Sequence, residues 1–140
     1  MVNPEIINER LREMDENITL LDELKSTPFN KFQNDPKIFK LAMYCLQISI
    51  QCLLDICHHI IVDNNWSRPK NNAEAIITLG EKGVIPIEFA NSIVPMANLR
   101  NILVHGYLKI DKALLYGNIK KLSDFRTFQK HILKYLSSFS

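Results

Sequence analysis

The chain has 140 residues, of which 46% are hydrophobic and 23% are charged, and its formal net charge is +2. This length fits one domain with a continuous core, so we assign residues 1–140 to a single helical domain. The N-terminus has no apolar signal core and polar residues interrupt every apolar stretch, which argues against secretion and membrane insertion, and we expect a cytoplasmic protein.

The charge is unevenly distributed along the chain. Residues 1–35 carry four basic and eight acidic side chains, whereas residues 100–140 carry eight basic and two acidic ones. A basic C-terminal part suits a polyanionic partner, although solvated helix faces have the same character. Cys45, Cys52 and Cys57 fall in one apolar helical pattern without metal-clip spacing, and we interpret them as buried thiols of a reduced compartment. We expect no metal and no cofactor.

Two cap-plus-proline signals begin the first two helices. Asn3-Pro4-Glu5 opens a helix with apolar residues at 4-3-4-3 spacing, which ends before Pro28 and whose polar residues we place in solvent. Phe29 and Phe32 are predicted to lie in the following loop and to close the end of the bundle. Asp35-Pro36 then opens the longest helix, which runs to about Val62 and is apolar over most of its circumference, as a buried axis would be.

A polar stripe runs along this long helix. Its members recur at steps of four and are joined by a neighbouring histidine: Gln47, Gln51, Asp55, His59 and His58. The stripe could support a functional cleft, with Asp55 fixing the tautomer of His58 or His59. Alternatively, it is a set of hydrogen-bonded side chains on one solvated edge. Adjacent histidines point to different helix faces, so a metal site here is disfavoured.

The remaining elements are also predicted to be helical. A short helix begins at Ala73 and stops near Gly80 or Gly83, and Pro86 starts the next one. Pro95 should break that helix, so that residues 96–105 form a separately oriented segment. Asp111 is predicted to cap a last, single helix that reaches about Leu136. Without strand-like alternation, repeats or a Gly-rich phosphate loop, the sequence predicts an all-α bundle of about five helices.

The segment after Pro95 carries the most informative residues, Arg100-Asn101-Ile102-Leu103-Val104-His105-Gly106-Tyr107. At about 100° per residue, Arg100 and His105 lie roughly 140° apart on one helix, so they cannot aim at the same atom. Either the helix ends at His105, with Gly106 at the C′ position, or a second copy of the chain completes the site. If the helix instead continued through Gly106, Arg100 and Tyr107 would line the cleft.

This set of side chains suits RNA cleavage without a metal. An arginine fork can stabilise charge on a phosphorane-like transition state, and a histidine can accept or give a proton near neutral pH. Asn101 could orient His105 or the phosphate. Because the attacking group would be a ribose 2′-hydroxyl, the mechanism selects RNA. The same octet could instead be an ordinary helix C-terminus with a favourable histidine and a solvated arginine.

The octet resembles the Arg-X4-His-X-Tyr motif of HepT-type toxins in the HEPN ribonuclease superfamily. The similarity extends to Leu53-Leu54-Asp55-Ile56-Cys57-His58-His59-Ile60-Ile61, to Leu79-Gly80-Glu81-Lys82-Gly83-Val84-Ile85, and to Tyr107-Leu108-Lys109-Ile110-Asp111.

The resemblance implies an antiparallel helical bundle that forms a homodimer and acts as a metal-independent RNA endonuclease, with Arg100 and His105 in the dimer cleft. It also implies a type VII-like toxin-antitoxin pair, in which a minimal nucleotidyltransferase antitoxin transfers AMP to Tyr107. Two alternatives remain: a non-catalytic HEPN module that binds nucleotide, RNA or the nucleotidyltransferase, and a structural helical dimer.

Overall fold

The computed structural model describes residues 3–106 and 109–139, and within them every regular element is an α-helix. The helices are α1 Pro4–Leu24, α2 Phe29–Asn34, α3 Pro36–Asp63, α4 Asn72–Glu81, α5 Ile87–Ile93, α6 Pro95–His105, α7 Lys112–Ile119 and α8 Ser123–Ser137. The predicted all-α class is confirmed. These residues form more helices than the expected five, because two regions were organised differently from the prediction.

Both cap-plus-proline signals act as predicted. The Asn3 side chain accepts a hydrogen bond from the Glu5 N–H at 3.1 Å, and the Asp35 side chain accepts one from the Lys37 N–H at 3.0 Å. Each of these two side chains thereby satisfies a backbone N–H that has no acceptor within its own helix. Local sequence therefore determines where α1 and α3 begin.

Helices α1 and α3 form the central packed pair of the fold. Twelve residues of α3 are buried, and α1 contributes Ile7, Leu11, Met14, Ile18 and Leu21. By length and composition α3 could cross a membrane, but 61% of its most apolar stretch is buried inside the protein. Such burial is expected of a core helix, which is apolar on most of its circumference.

The predicted loop after Pro28 is wrong, since residues 29–34 form the short helix α2. Phe32 is fully buried, with its ring centroid 6.0 Å from that of Phe39 and 5.0 Å from that of Tyr116. Phe29 is half-buried beside Tyr116. The two rings therefore close this end of the bundle as expected. They are one helical turn apart in α2, and both contact the ring of Tyr116.

The predicted single helix after Asp111 is also wrong, because it is divided into α7 and α8. Asp111 does cap α7, accepting from the N–H groups of Ala113 and Leu114 at 2.8 and 3.3 Å. The break follows Gly117 and Asn118, two residues of low helix propensity. It allows α8 to turn toward α1, where Arg126 forms ion pairs with Asp15 and Asp22.

Two short helices determine where α6 starts. Helix α4 ends at Glu81, and Gly83 follows with a φ of +75°, a conformation that favours glycine. Gly80 is buried where α5 passes, so close that a Cβ atom there would lie 2.7 Å from the Cβ of Ala90. Helix α5 ends at Ile93 and α6 begins at Pro95, which confirms the predicted break.

Candidate active site

Helix α6 presents the motif residues at the edge of the core. Only Ala97 and Leu103 are buried among its residues. The helix ends at His105, as the first of the two predicted arrangements requires, and the Gly106 N–H donates to the Ile102 carbonyl at 2.8 Å. Gly106 has a φ of −113°, so the expected left-handed C′ conformation is not adopted. Tyr107, the predicted AMP acceptor, lies outside the described residues.

Arg100 and His105 differ in their surroundings. Arg100 is half-buried against α3, where its Nε donates to the Gln51 Oε1 at 3.1 Å. Its Nη1 donates to the Asn101 Oδ1 at 3.4 Å. His105 and Asn101 are exposed to solvent. Helical spacing places Arg100 and His105 roughly 140° apart around α6, and their different exposure agrees with that spacing.

A chain of polar contacts connects Arg100 with the two central helices. The Gln51 Nε2 donates to the Asp55 Oδ1 at 2.9 Å, and the Asp55 Oδ2 lies 3.3 Å from the Arg10 Nε of α1. The Arg10 Nε is buried but lacks hydrogen-bond geometry within the described residues, so its contact with Asp55 is an ion pair only. Asp55 therefore contacts the motif indirectly, through Gln51.

The two adjacent histidines have partners different from those expected. The His58 Nε2 lies 2.9 Å from the Asn72 Oδ1, at the start of α4. His59 is half-buried, and its ring has no hydrogen-bond partner in the described part of the chain. Asp55 does not fix the tautomer of either ring in these residues, because Gln51 and Arg10 occupy its carboxylate.

The sequence analysis missed one member of this polar network, Arg10, and one of its contacts, between Gln51 and Arg100. Arg10 was placed among the solvated residues of α1, yet its side chain is only 37% exposed and faces α3. Gln51 was recognised as part of the polar stripe, but its contact with Arg100 was not predicted. The i to i+4 spacing of Gln51 and Asp55 was the available signal, because such pairs share a helix face.

The three cysteines are buried and form no disulfide. Burial, together with the nearby carboxylates of Glu13 and Asp55, raises the pKa of Cys52 to about 12. Burial also raises the pKa values of Cys45 and Cys57. The thiols therefore remain protonated near neutral pH, as expected for apolar core residues. Among residues 3–106 and 109–139, no three His, Cys, Asp or Glu side chains are grouped as metal ligands would be.

Comparison with known proteins agrees with the fold. A tRNA nuclease HepT of Aphanizomenon flos-aquae (strain 2012/KM1/D3) is 27% identical over 136 residues, which cover 96% of this chain and 92% of that protein. Among solved structures, the cytosolic protein YutE of Bacillus subtilis, of unknown function, has a TM-score of 0.86 at 21% identity, covering 98% of this chain and 92% of that one.

A second solved structure contains a tri-AMPylated HEPN toxin of Shewanella oneidensis in complex with an MNT antitoxin. It has a TM-score of 0.82 at 21% identity and covers 92% of this chain and 97% of that one. These two structures establish the shared fold. The sequence model of the ribonuclease HepT-like family matches residues 14–132, which include the whole of α6. The match spans most of the sequence, and the chain therefore belongs to the ribonuclease HepT-like family.

Proposed function

We propose that this protein is the toxin of a type VII-like toxin-antitoxin pair and that it cuts RNA internally without a metal, in the cytoplasm. The observation that carries this proposal is the arrangement of α6, which exposes His105 at its last turn and holds Arg100 against Gln51. The family match and the name of the relative, a tRNA nuclease, support the same activity. The basic residues after Arg100 suit a polyanionic substrate.

The reaction uses only the substrate and side chains of this chain. His105 accepts the proton of the ribose 2′-hydroxyl as the 2′-oxygen forms a bond to phosphorus. The bond from phosphorus to the 5′-oxygen breaks, and that oxygen takes a proton from a second imidazolium, leaving a 2′,3′-cyclic phosphate and a 5′-hydroxyl. Arg100 stabilises the charge on the phosphoryl oxygens, and Asn101 orients the phosphate or His105.

The second imidazolium comes from a second copy of the chain. Because Arg100 and His105 are separated around α6, a two-fold homodimer would supply both groups to one cleft. Asp55 would support that cleft by holding Gln51 beside Arg100, and we assign no chemical step to His58 or His59. Light scattering should give twice the chain mass, and an active monomer would contradict this part of the proposal.

Inhibition by an antitoxin completes the proposal. A minimal nucleotidyltransferase would transfer AMP to Tyr107, two residues after His105, and the added phosphate would repel the RNA backbone from the cleft. The resemblance at Tyr107 supports this step, and so does the AMPylated toxin of similar fold. Co-expression with the nucleotidyltransferase should add mass in multiples of AMP to the wild type and none to Tyr107→Phe. A modified Tyr107→Phe would place the acceptor elsewhere.

Cleavage of labelled RNA in the presence of a chelator tests the nuclease itself. We expect His105→Ala and Arg100→Ala to lose at least about a hundredfold in rate, as expected for removal of an acid-base or charge-stabilising group. Lys70→Ala, at an exposed lysine between α3 and α4 and outside the basic C-terminal part, is the matched control and should remain active. Cleavage that requires an added metal would refute the mechanism. RNA binding without cleavage by the wild type would favour the non-catalytic alternative.

A further inference from the structure

We propose that a cavity beside α6 binds an unstacked base of the RNA substrate, next to the phosphodiester at which His105 acts as the general base. This inference rests on the proposed function and extends it, because it assigns the base-binding part of the substrate site. It concerns a region separate from Arg100, on the other side of α6.

The cavity lies between α3, α5, α6, α7 and α8, and its volume is about 370 Å³. Its apolar wall includes Pro95, Met96, Leu99 and Ile102 of α6 and Leu114 of α7, together with the buried Leu46, Ile50, Ile93 and Phe125. Ligand pockets have volumes of roughly 300–1,000 Å³ and mostly apolar walls, so this one suits a small planar group. An apolar wall also suits a base, because a base that has left its stack can be held between apolar side chains as well as aromatic ones.

The rim of the cavity carries the polar groups that would recognise a nucleotide. Asn98, Asn118, Lys121 and Asp124 contribute to it. The side chains of Asn98, Lys121 and Asp124 have no hydrogen-bond or ion-pair partner within residues 3–106 and 109–139, and the Asn118 side chain uses only its Nδ2, which donates to the Leu114 carbonyl. Amide and carboxylate groups can read the edge of a base, and a free ammonium suits the attached phosphate.

Helix α6 connects this cavity with the motif. Asn98, Asn101 and His105 are all exposed, and their spacing of three and four residues places them along one face of the helix. His105 follows Asn98 by seven positions, which corresponds to about 10 Å along the axis. An RNA strand following this face would therefore place one base at the cavity and a nearby phosphate at His105.

The chemistry of the rim favours single-stranded RNA. A base can enter such a cavity only after it has left its stack, as in loops and chain ends, and proteins read these unstacked bases by their edges and faces. Asp124 places a carboxylate at the same rim as Lys121, so the rim is not uniformly attractive to phosphate. The base, rather than the backbone alone, must therefore contribute to binding.

Binding of mononucleotides to the full chain tests this inference independently of cleavage. In a His105→Ala background, the probes are the four nucleoside 5′-monophosphates and ribose 5-phosphate, measured by calorimetry. We expect at least one nucleotide to bind about tenfold more tightly than ribose 5-phosphate, because only the nucleotides carry a base that can enter the apolar cavity. Equal binding of ribose 5-phosphate and all four nucleotides would overturn the proposal.

Substitution of two exposed leucines tests whether nucleotides bind in this cavity. Leu114, which lines the cavity, is 45% exposed, and Leu133 of α8 does not line it and is 53% exposed. Leu114→Trp should fill the cavity and remove the preference for nucleotides, whereas Leu133→Trp should retain it. Equal loss in both variants would contradict the placement. If Leu114→Trp instead halves the molecular mass and the nucleotide preference persists, a second copy covers the cavity and the proposal is wrong.

A second variant keeps the test valid if Leu114→Trp does not fold. Lys121→Ala should weaken nucleotide binding several-fold, and Lys70→Ala, at an exposed lysine away from the cavity, should leave it unchanged; equal effects of the two would contradict the role of Lys121. If the wild type cuts RNA but the cavity shows no preference for a base, only this inference fails. If the cavity prefers nucleotides but the wild type does not cut RNA, only the nuclease fails.

Discussion

Helix α3 and helix α6 illustrate two different uses of an amphipathic sequence. Helix α3 buries twelve of its 28 residues in the core, whereas α6 buries only two of its 11. Burial of apolar surface is the main source of folding free energy, so α3 stabilises the protein and α6 contributes less. The exposed part of α6 is available for chemistry, and it carries Asn101 and His105.

The two helices meet at one polar contact, between Gln51 of α3 and Arg100 of α6. Outside this contact, we expect substitutions in α3 to change mainly the stability of the protein and substitutions in α6 to change mainly its activity.

Removing a core side chain of α3 should have the largest effect on stability. Leu53 is fully buried, so Leu53→Ala should lower the free energy of unfolding by about 2–5 kcal/mol through lost burial and a residual cavity. Leu133→Ala, at a leucine 53% exposed, should change it by less than about 0.5 kcal/mol. Urea denaturation measures both. A similar loss in the two variants would mean that α3 is not the main source of stability.

The close approach of α4 and α5 should be sensitive to a single methyl group. Gly80→Ala would bring a Cβ to 2.7 Å from the Cβ of Ala90, and we expect a loss of about 1–3 kcal/mol from overpacking. Gly117→Ala in α7 meets no atom within 4 Å and should stabilise the protein by about 0.5–1 kcal/mol. Thermal unfolding of both variants gives the comparison, and a neutral Gly80→Ala would show that α5 can move away.

The contact between the two helices should affect activity more than stability. Gln51→Ala removes the acceptor that positions the Arg100 Nε, and we expect RNA cleavage to fall about tenfold, which corresponds to about 1.4 kcal/mol. Gln47→Ala, one turn earlier in the same stripe, is the control and should retain activity. Gln51→Glu should restore part of the lost rate, because a carboxylate also accepts from Arg100. Equal activity of Gln51→Ala and the wild type would make this contact structural only.

The buried thiols should make stability depend on alkaline pH. The pKa of Cys52 is raised from its ordinary value of 9.0 to about 12, so the thiol ionises first in the unfolded chain. The contribution of the protonated Cys52 thiol to the free energy of unfolding is complete below pH 9.0 and is lost as pH rises toward 12. At pH 10 the loss is roughly 1 kcal/mol. Cys52→Ala should therefore lose less stability than the wild type between pH 8 and pH 10. If urea denaturation gives the same pH dependence of the free energy of unfolding for Cys52→Ala and the wild type, the raised pKa of Cys52 is contradicted.

Much of this fold could be predicted from the sequence because its signals are local. Caps at Asn3, Asp35 and Asp111 and breaks at Pro95 and Gly83 act within a few residues, and each was located correctly or nearly so. The division between α7 and α8 could not be predicted in the same way. Gly117 and Asn118 permit a break because of their low helix propensity, but the direction of α8 depends on its packing against α1, where Arg126 contacts Asp15 and Asp22, which are distant in sequence.

In the candidate site, too, local geometry could be predicted from the sequence but contacts between helices could not. The spacing of Arg100 and His105 predicted different positions around α6, because helix geometry is fixed, and the half-buried Arg100 and the exposed His105 agree with that spacing. The partners of Arg100 and Asp55 could not be deduced, since Gln51 and Arg10 become neighbours only when α1, α3 and α6 pack together. A polar stripe on one helix does not reveal which of its members will meet another element.

The shallow burial of α6 has a consequence for how such proteins diverge. Arg100 and His105 contribute little to the packed interior, so a descendant that lost both would still fold. Drift from an RNA-cutting enzyme to a protein that only holds its ligand would need two substitutions and no rebuilding elsewhere. Selection on the core can therefore preserve this architecture long after its chemistry has disappeared.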